Sequence, residues 1–263
     1  DVCDPAGNNA LNNNYNYKIT NAQKFLEIAR SIKSEDEIIC MKAAVKTAEK
    51  GISLMYENLQ AGMTEEELWS ILHKTNIESG GEWFETRLLN SGPKTNPWFQ
   101  ECNNRIIQKG DIVAFDTDMV GPYGYCADIS RTFVEGRKLS NYQKKIHSLA
   151  YENVKYNEQL IKPGLSFREF AEKAWKLPEN CFSNHYPCQI HGVGMSDEWP
   201  FIAYPDKDYT NGDYSGIFEE NMVVCVESYI GEEDGSEGAK LEDQYLVKKN
   251  GLEKLSSLPL DLV

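Results

Sequence analysis

The sequence predicts an α+β fold in which two similar sets of helices cover one curved, mainly antiparallel sheet. The segments AGMTEEELWSIL and KPGLSFREFAEKAW, about a hundred residues apart, each join a long helix to a second helix through a glycine turn and a cap. Strand patterns, with a period near two, follow the helices of each half. Together these observations are typical of a pseudo-duplicated domain with its helices on one side of a sheet.

The helix starts are marked by capping patterns. Ser34 with Glu37, and Thr64 with Glu67, predict the two helices of the first half, and Ile38, Met41, Val45 and Ala48 recur at helical spacing after the first cap. In the second half, Ser140 with Gln143 predicts a long helix through Leu160, and Ser166 with Glu169 caps the next helix. The Asn-rich residues 1 to 22 show little apolar pattern, which predicts a loop or the end of a linker.

Four apolar runs predict strands in two pairs. The first pair is 111–115 with 130–134. The second is 221–229 with 239–247, joined by a glycine-rich, acidic hairpin loop over 231–238. We therefore expect each half to contribute antiparallel strands to the common sheet.

The composition argues against nucleic acid and membranes as partners. The 263 residues include 27 Lys and Arg against 41 Asp and Glu, a formal net charge of −14, and no apolar run reaches membrane-spanning length. Seven scattered cysteines without a CxxC spacing predict reduced thiols in the cytoplasm. The chain begins Asp1-Val2 rather than with Met, so we expect an upstream segment to be missing.

Acidic side chains and one histidine recur beside strand segments that otherwise look buried. Asp116 and Asp118 come at the end of a strand, at positions i and i+2, which places both carboxylates on one face. The complete set is Asp116, Asp118, Asp128, His191, Glu227 and Glu242.

Five buried carboxylates require positive charge nearby. Two divalent cations would supply it, and oxygen ligands with a single imidazole suit Mn, Fe, Co or Zn in a catalytic dinuclear site. Taken singly, each residue has an ordinary alternative: a turn cap for an Asp, a pair with Lys240 for Glu242, a core histidine for His191. The ordered set on successive strands favours the metal site.

The motifs GYCADISRTF, HGVG, VVCVES and LEDQYLV resemble, in this order, the ligand-bearing strands of the creatinase/aminopeptidase superfamily. This is the pita-bread fold of methionine aminopeptidase and X-Pro dipeptidase, and the resemblance covers about residues 34 to 250. It implies a pita-bread metal-dependent catalytic domain over 34–263, preceded by a linker or remnant of an N-terminal segment over 1–33.

The sequence departs from the peptidases at their accessory positions. The peptidases place their first ligand Asp eleven residues before the second, where this chain has Thr117 between two aspartates. Their second histidine, seven residues after the ligand histidine, is replaced here by Glu198, and SGPKTNPWFQE offers Trp98 instead of a further histidine. The groups that assist acyl transfer are therefore absent, while every candidate metal ligand remains.

This combination, together with SDEWP, resembles the dimethylsulfoniopropionate (DMSP) lyases of the DddP type. The resemblance implies cleavage of DMSP, a small sulfonium carboxylate, to dimethyl sulfide and acrylate by base-assisted β-elimination, in a homodimer. Carried over residue by residue, it makes Asp197 the catalytic base, Tyr186 a pocket residue and the set above the metal ligands.

The sulfonium end of such a substrate needs aromatic faces. The candidates are Trp98, Trp199, Tyr186, Tyr204 and Tyr209, each of which has ordinary packing as its alternative. Two other functions stay open: a metallopeptidase of the X-Pro dipeptidase or methionine aminopeptidase type, and a catalytically inactive pita-bread binding module.

Overall fold

The computed structural model describes residues 5–15 and 20–261, in which each of two halves combines helices with antiparallel strands. The helices of these residues are α1 Pro5–Tyr15, α2 Gln23–Arg30, α3 Glu35–Asn58, α4 Glu65–Glu78, α5 Asn141–Leu160 and α6 Phe167–Lys173. The strands are β1 Trp83–Phe84, β2 Leu89–Ser91, β3 Ile112–Phe115, β4 Met119–Val120, β5 Cys126–Ala127, β6 Arg131–Val134, β7 Cys188–Val193, β8 Asp197–Ala203, β9 Val223–Gly231, β10 Gly238–Lys248 and β11 Gly251–Lys254.

The predicted caps start the helices of both halves. Ser34, Thr64 and Ser140 each form a reciprocal capping box, which satisfies two backbone N–H groups at the helix start. The Ser166 side chain accepts a hydrogen bond from the Glu169 N–H. In the first pair, α3 and α4 approach so closely that a Cβ on Gly51 would lie 2.5 Å from Leu72 Cδ1. The two similar helix pairs that the sequence predicts are thus confirmed.

All strand pairs among the described residues are antiparallel. The first half forms the sheet β2-β3-β6 and the small sheet β1-β4-β5, and the second half forms β11-β10-β9-β7-β8. Both predicted strand pairs are confirmed, because β3 pairs with β6 and β9 pairs with β10. In each half, the helices pack on the strands through one apolar core. The architecture is the pita-bread fold.

Side chains of β6 join the two sheets at β10. Thr132 exchanges hydrogen bonds with the Lys240 backbone, at 2.7 and 2.9 Å. The fully buried Arg131 guanidinium contacts Asp243 at 2.9 Å and donates to the Glu242 carbonyl at 2.6 Å. A buried, charge-assisted pair with further hydrogen bonds fixes the relative position of the two halves. The acidic residues of both halves meet beside this junction.

The prediction of a loop over the first residues is wrong for Pro5–Tyr15, which forms α1. Asn is a weak helix former and the segment has no apolar stripe, so the pattern gave no helix signal. A proline in the first turn favours a helix start, and Asn12 Nδ2 donates to the Asn8 carbonyl at 3.1 Å. Among the described residues, no helix is long and apolar enough to cross a membrane.

Candidate metal centre

Three strands of the second half line up polar side chains on one face of the sheet. His191 of β7 lies opposite Cys225 of β9, and Glu227 of β9 lies opposite Glu242 of β10. Residues two apart on a strand share a face, so Cys225 joins Glu227 there and Lys240 joins Glu242. A single face of β7, β9 and β10 therefore carries an imidazole, a thiol, an ammonium group and two carboxylates.

The first half contributes three aspartates from the connections between its strands. Asp116 and Asp118 follow β3, which ends at Phe115, and Asp118 has a left-handed backbone with φ of 35°. The two carboxylates do lie together, but strand pleating is not the reason, because both residues lie outside the strands, between β3 and β4. Thr86 donates a hydrogen bond to Asp118. Asp128 lies between β5 and β6, and its N–H donates to Gln244 Oε1 at 3.1 Å.

The structure brings together all six residues that the sequence predicts as metal ligands. Ligand atoms within 4.8 Å of one another form three overlapping groups: Asp128, His191, Cys225 and Glu242; Asp116, Asp118 and Asp128; and Asp116, Glu227 and Glu242. His191 Nε2 lies 3.2 Å from Glu227, 3.4 Å from Asp128 and 3.4 Å from Glu242. Such a carboxylate and histidine cluster has the donor types of a divalent metal site.

Three carboxylate oxygens of this cluster are buried without a hydrogen bond from any described residue: Asp116 Oδ1, Asp128 Oδ1 and Glu242 Oε1. A buried acceptor without a partner costs about 1–3 kcal/mol, and more when it is charged. Each of these oxygens belongs to a residue in the groups above. Unpaired acceptors that converge on one place are what a cation would satisfy, so the residues present fit a metal.

Lys240 lies inside this cluster, whereas its place in the sequence suggests only a pair with Glu242. Its fully buried ammonium group lies 2.6 Å from Glu227, 2.8 Å from Asp116 and 3.0 Å from Glu242. It also donates to Ser130 Oγ at 2.7 Å and lies 4.5 Å from the ring centre of Tyr186. Lys240 therefore compensates one of the negative charges from within the cluster.

Burial and mutual repulsion oppose ionisation of most of these acids. Desolvation first, and then the neighbouring carboxylates, raise the pKa of Asp118 and Asp128 well above the usual range. Desolvation and Glu242 raise the pKa of Glu227 to about 8. Burial also acts on Glu242, but Lys240 and His191 outweigh it and hold its pKa well below the usual value. Without a metal, the cluster therefore retains protons at neutral pH.

We expect the metal-free protein to lose stability as the pH rises from about 5 to about 9. Glu227 titrates near 4.5 ordinarily and at about 8 when folded, so between these values the folded state binds more protons than the unfolded state. The stabilisation from Glu227 is present below a pH of 4.5 and is lost as the pH rises through about 8. Desolvation lowers the pKa of His191, but Asp197 and its other acidic neighbours raise it well above normal, which acts in the same direction.

The free energy of unfolding, measured in denaturant with a chelator at several pH values, checks this expectation. Glu227→Gln should flatten the slope, and saturating Mn²⁺ should do so too because metal binding displaces the protons. A metal-free wild type whose stability stays level or increases over this interval would contradict the assignment.

Asp197 lies at the mouth of the cluster. Its Oδ1 is 3.7 Å from His191 Nδ1, and its side chain keeps 45% exposure. Desolvation is the main cause that raises its pKa above the usual range, and His191 opposes it. Beside it opens a cavity of about 440 Å³. The predicted base thus stands between the acidic cluster and a space large enough for a small molecule.

The cavity wall includes only some of the predicted aromatic residues. Tyr186 and Trp199 line it, and the Tyr186 hydroxyl donates to Asp116 at 3.5 Å. Trp98 is not among the lining residues, because it packs in a buried cluster against Tyr229. Tyr204 is buried and hydrogen-bonded to Asn153, and Tyr209 packs on Tyr214.

Sequence reasoning missed two other rings of this wall, Phe99 and Phe201. Phe99 stacks on Tyr186 with ring centres 5.1 Å apart, and it reaches this place from a backbone with φ of 74°. Both rings are partly exposed, at 53% and 41%. The sequence offers one signal for Phe99, its position directly after Trp98; nothing local marks Phe201.

Comparison with known proteins gives a consistent result. Metallopeptidase family M24 matches residues 39–249. The chain is 41% identical over 252 residues to dimethylsulfoniopropionate lyase DddP of Roseovarius nubinhibens and 40% identical to that of Roseobacter denitrificans. Each alignment covers 93% of this chain and 56% of the relative, so the chain spans about half the length of these proteins. Among solved structures, Xaa-Pro dipeptidase from Bacillus anthracis superposes with a TM-score of 0.84 at 22% identity, over 100% of this chain and 72% of the dipeptidase.

Proposed function

The chain belongs to metallopeptidase family M24, and we propose that within this family it is a metal-dependent carbon–sulfur lyase that cleaves DMSP to dimethyl sulfide and acrylate. The observation that carries the proposal is the placement of Asp197 between the acidic cluster and an aromatic cavity. The 40–41% identity to DMSP lyases supports it. Glu198 also supports it. This residue stands where the peptidases have their second histidine, and its carboxylate is paired with Lys33 and Arg30, so it does not replace that histidine in acyl transfer.

Two divalent cations, of Fe, Mn, Co or Zn, would balance the charge of this site. The carboxylates of Asp116, Asp118, Asp128, Glu227 and Glu242 carry five negative charges when ionised. Lys240 compensates one of them, and two divalent cations would compensate the other four. The same carboxylates and His191 would hold the metals, with the buried free oxygens as acceptors.

The residues around Asp197 suit a β-elimination. Asp197 would accept the proton from the carbon next to the substrate carboxylate, and its raised pKa makes it a stronger base than an ordinary aspartate. The electron pair of that C–H bond then forms the double bond of acrylate, while the C–S bond breaks and sulfur leaves with its electrons as neutral dimethyl sulfide. A bound divalent metal supplies Lewis-acid stabilisation for the negative charge that develops at the substrate carboxylate.

The cavity wall is suited to the cationic end of the substrate. The rings of Phe99, Tyr186 and Phe201 line it, and the face of an aromatic ring attracts a cation by about 0.5–2 kcal/mol. Glu27 adds a carboxylate to the wall, and none of its lining residues is a lysine or arginine. This combination favours a sulfonium group over a second anionic group.

Headspace measurement of dimethyl sulfide tests the proposal. The full chain, loaded separately with Fe, Mn, Co or Zn, is incubated with DMSP, with an X-Pro dipeptide and with a peptide that begins with Met. We expect dimethyl sulfide and acrylate in equal amounts and no peptide cleavage. Peptide cleavage without dimethyl sulfide would replace the proposal by a metallopeptidase, and no turnover by any metal form would favour an inactive binding module.

Asp197→Asn is expected to lower the kcat for dimethyl sulfide release by about 10²–10⁴-fold, the usual contribution of a general base. The amount of metal bound at a saturating metal concentration should stay as in the wild type, because Asp197 belongs to none of the groups that could hold a metal. Asp208→Asn, in an exposed turn of the same half, is the matched control and should keep full turnover. Full turnover of Asp197→Asn would remove this residue as the base and leave the metal site untouched.

By the same family resemblance we propose that residues 34–263 are the catalytic domain and that the chain works as a homodimer in the cytoplasm. Light scattering of the purified chain tests the dimer directly.

A further inference from the structure

The residues on both sides of Asp197 are bound by side chains from the last two turns of α2 and from the segment that follows it. Arg30 Nη2 donates to Ser196 Oγ at 2.9 Å, and both Arg30 and Lys33 pair with the Glu198 carboxylate. On the next residue, the Trp199 N–H donates to Glu27 Oε2 at 3.0 Å. Positions 196, 198 and 199 are therefore all tied to the segment 27–33.

Asp197 itself makes no such bond. Within residues 5–15 and 20–261, its carboxylate accepts no hydrogen bond, and its charged neighbour is His191 at 3.7 Å. A half-exposed carboxylate that accepts no hydrogen bond is oriented mainly by its backbone. Asp197 is the first residue of β8 and directly follows the turn after β7, where the Gly194 N–H donates to the Ser196 carbonyl at 3.0 Å.

The ion pair between Lys33 and Glu198, at the centre of these contacts, is buried. Lys33 is 2% exposed and the Glu198 side chain is fully buried. Lys33 is also fixed at its backbone, where its N–H donates to the Asn221 carbonyl at 2.9 Å, next to a bridge between Ile32 and Met222. Gly194 covers the other side of Glu198, since an added Cβ would lie 2.7 Å from Oε1. A side chain at position 194 would therefore collide with the Glu198 carboxylate.

A buried ion pair is weak evidence for stability, because desolvation offsets most of its attraction, and its better-supported use is to specify one conformation. In this protein the Lys33–Glu198 pair stands one residue from the predicted base, between a segment anchored to the sheet and the start of β8, where the Asp197 carboxylate accepts no hydrogen bond.

We propose that Glu27, Arg30 and Lys33 form a clamp that positions Asp197 through Ser196, Glu198 and Trp199. The inference rests on the proposed function for the role of Asp197, whereas the clamp itself concerns only the conformation of residues 194–199. Lys33 and Glu198 are positioning residues, since neither reaches the reacting atoms. The segment that the sequence predicts as a linker thus has a role at the active site.

Three variants of the metal-loaded chain test the clamp: Lys33→Met, Glu198→Gln and the double variant Lys33→Met/Glu198→Gln. The double variant removes both charges, so it avoids the penalty of one unpaired buried charge and separates positioning from folding. Lys24→Met is the matched control, because Lys24 lies on α2, shortly before Lys33, but pairs with Asp213. Hydrogen exchange, DMSP kinetics and metal content are measured for each.

We expect amide exchange of residues 194–199 in the double variant to rise at least about fivefold, with the sheet strands unchanged. The kcat should fall about 10–100-fold, as expected when a catalytic group is displaced by about 1 Å, with KM and metal content within about twofold. In an Asp197→Ala background, Lys33→Met should cause no further loss of kcat. A pair that only stabilises the fold would instead raise exchange everywhere and leave kcat unchanged.

Unchanged exchange at 194–199, or an unchanged kcat in the double variant, would overturn the clamp. If the wild type releases no dimethyl sulfide, the proposed function fails and the exchange measurement decides the clamp alone. Increased exchange confined to 194–199 would then support it, and unchanged exchange would overturn it.

Discussion

Glu242→Gln is expected to weaken metal binding by at least about 100-fold and to abolish dimethyl sulfide release. Glu242 belongs to two of the three groups that could hold a metal, and its Oε1 is buried without a hydrogen bond. The change keeps the shape of the side chain but removes the charge and turns one acceptor into a donor. Loss of a residue that only orients a ligand already reduces metal affinity 10–100-fold, so loss of a direct ligand should do at least as much.

Metal content after dialysis, measured by mass spectrometry, together with a binding titration, checks this prediction. Glu253→Gln is the control: it makes the same chemical change on β11, where Glu253 forms an exposed pair with Lys42. The control should bind metal and turn over as the wild type does. A Glu242→Gln protein with wild-type metal affinity would show that Glu242 is no ligand.

Lys240→Met is expected to destabilise the metal-free protein by about 3–5 kcal/mol, the range for removal of one partner from a buried charge cluster. The ammonium group contacts Asp116, Glu227 and Glu242, and methionine offers these carboxylates no positive charge. Burial disfavours the charged form of Lys240, but these carboxylates outweigh it and raise its pKa well above normal, so the wild-type group is charged at neutral pH. With metal bound, the loss should be smaller.

Urea denaturation with and without metal tests this prediction. Lys42→Met serves as the control, since its exposed ion pair with Glu253 contributes at most about 1 kcal/mol. Equal stability of Lys240→Met and wild type in the presence of a chelator would contradict the prediction, because it would mean that Asp116, Glu227 and Glu242 need no positive charge from Lys240.

Much of the fold is predictable because its signals are local. Ser34, Thr64 and Ser140 mark helix starts with chemistry contained in four residues, and the paired strands follow from short apolar runs. The Asn-rich α1 was missed for the same reason, since a helix without an apolar face leaves no periodic signal.

The six acidic and histidine residues of the site are also predictable, because charged residues inside or directly beside apolar strands are conspicuous. Lys240 and Cys225 are harder to predict. Each lies two residues from a predicted ligand and therefore on the same face, but a lysine or a cysteine in a strand has many ordinary explanations. Burial raises the pKa of the Cys225 thiol well above normal, which keeps the thiol protonated. Only its position beside the predicted ligands marks Cys225 as part of the site.

The parts that could not be predicted depend on contacts between distant segments. Arg30 and Lys33 meet Glu198 across more than a hundred and sixty residues of chain. Phe201 reaches the cavity because β8 pairs with β7, and Phe99 does so from a left-handed backbone. No spacing or cap in the sequence encodes these meetings.

Anomalous diffraction from a crystal of the chain loaded with Mn²⁺ or Zn²⁺ is the sharpest test of the dinuclear metal centre. We expect two anomalous peaks, surrounded by Asp116, Asp118, Asp128, His191, Glu227 and Glu242. Data without a peak among these side chains, with the metal bound elsewhere or not at all, would contradict it.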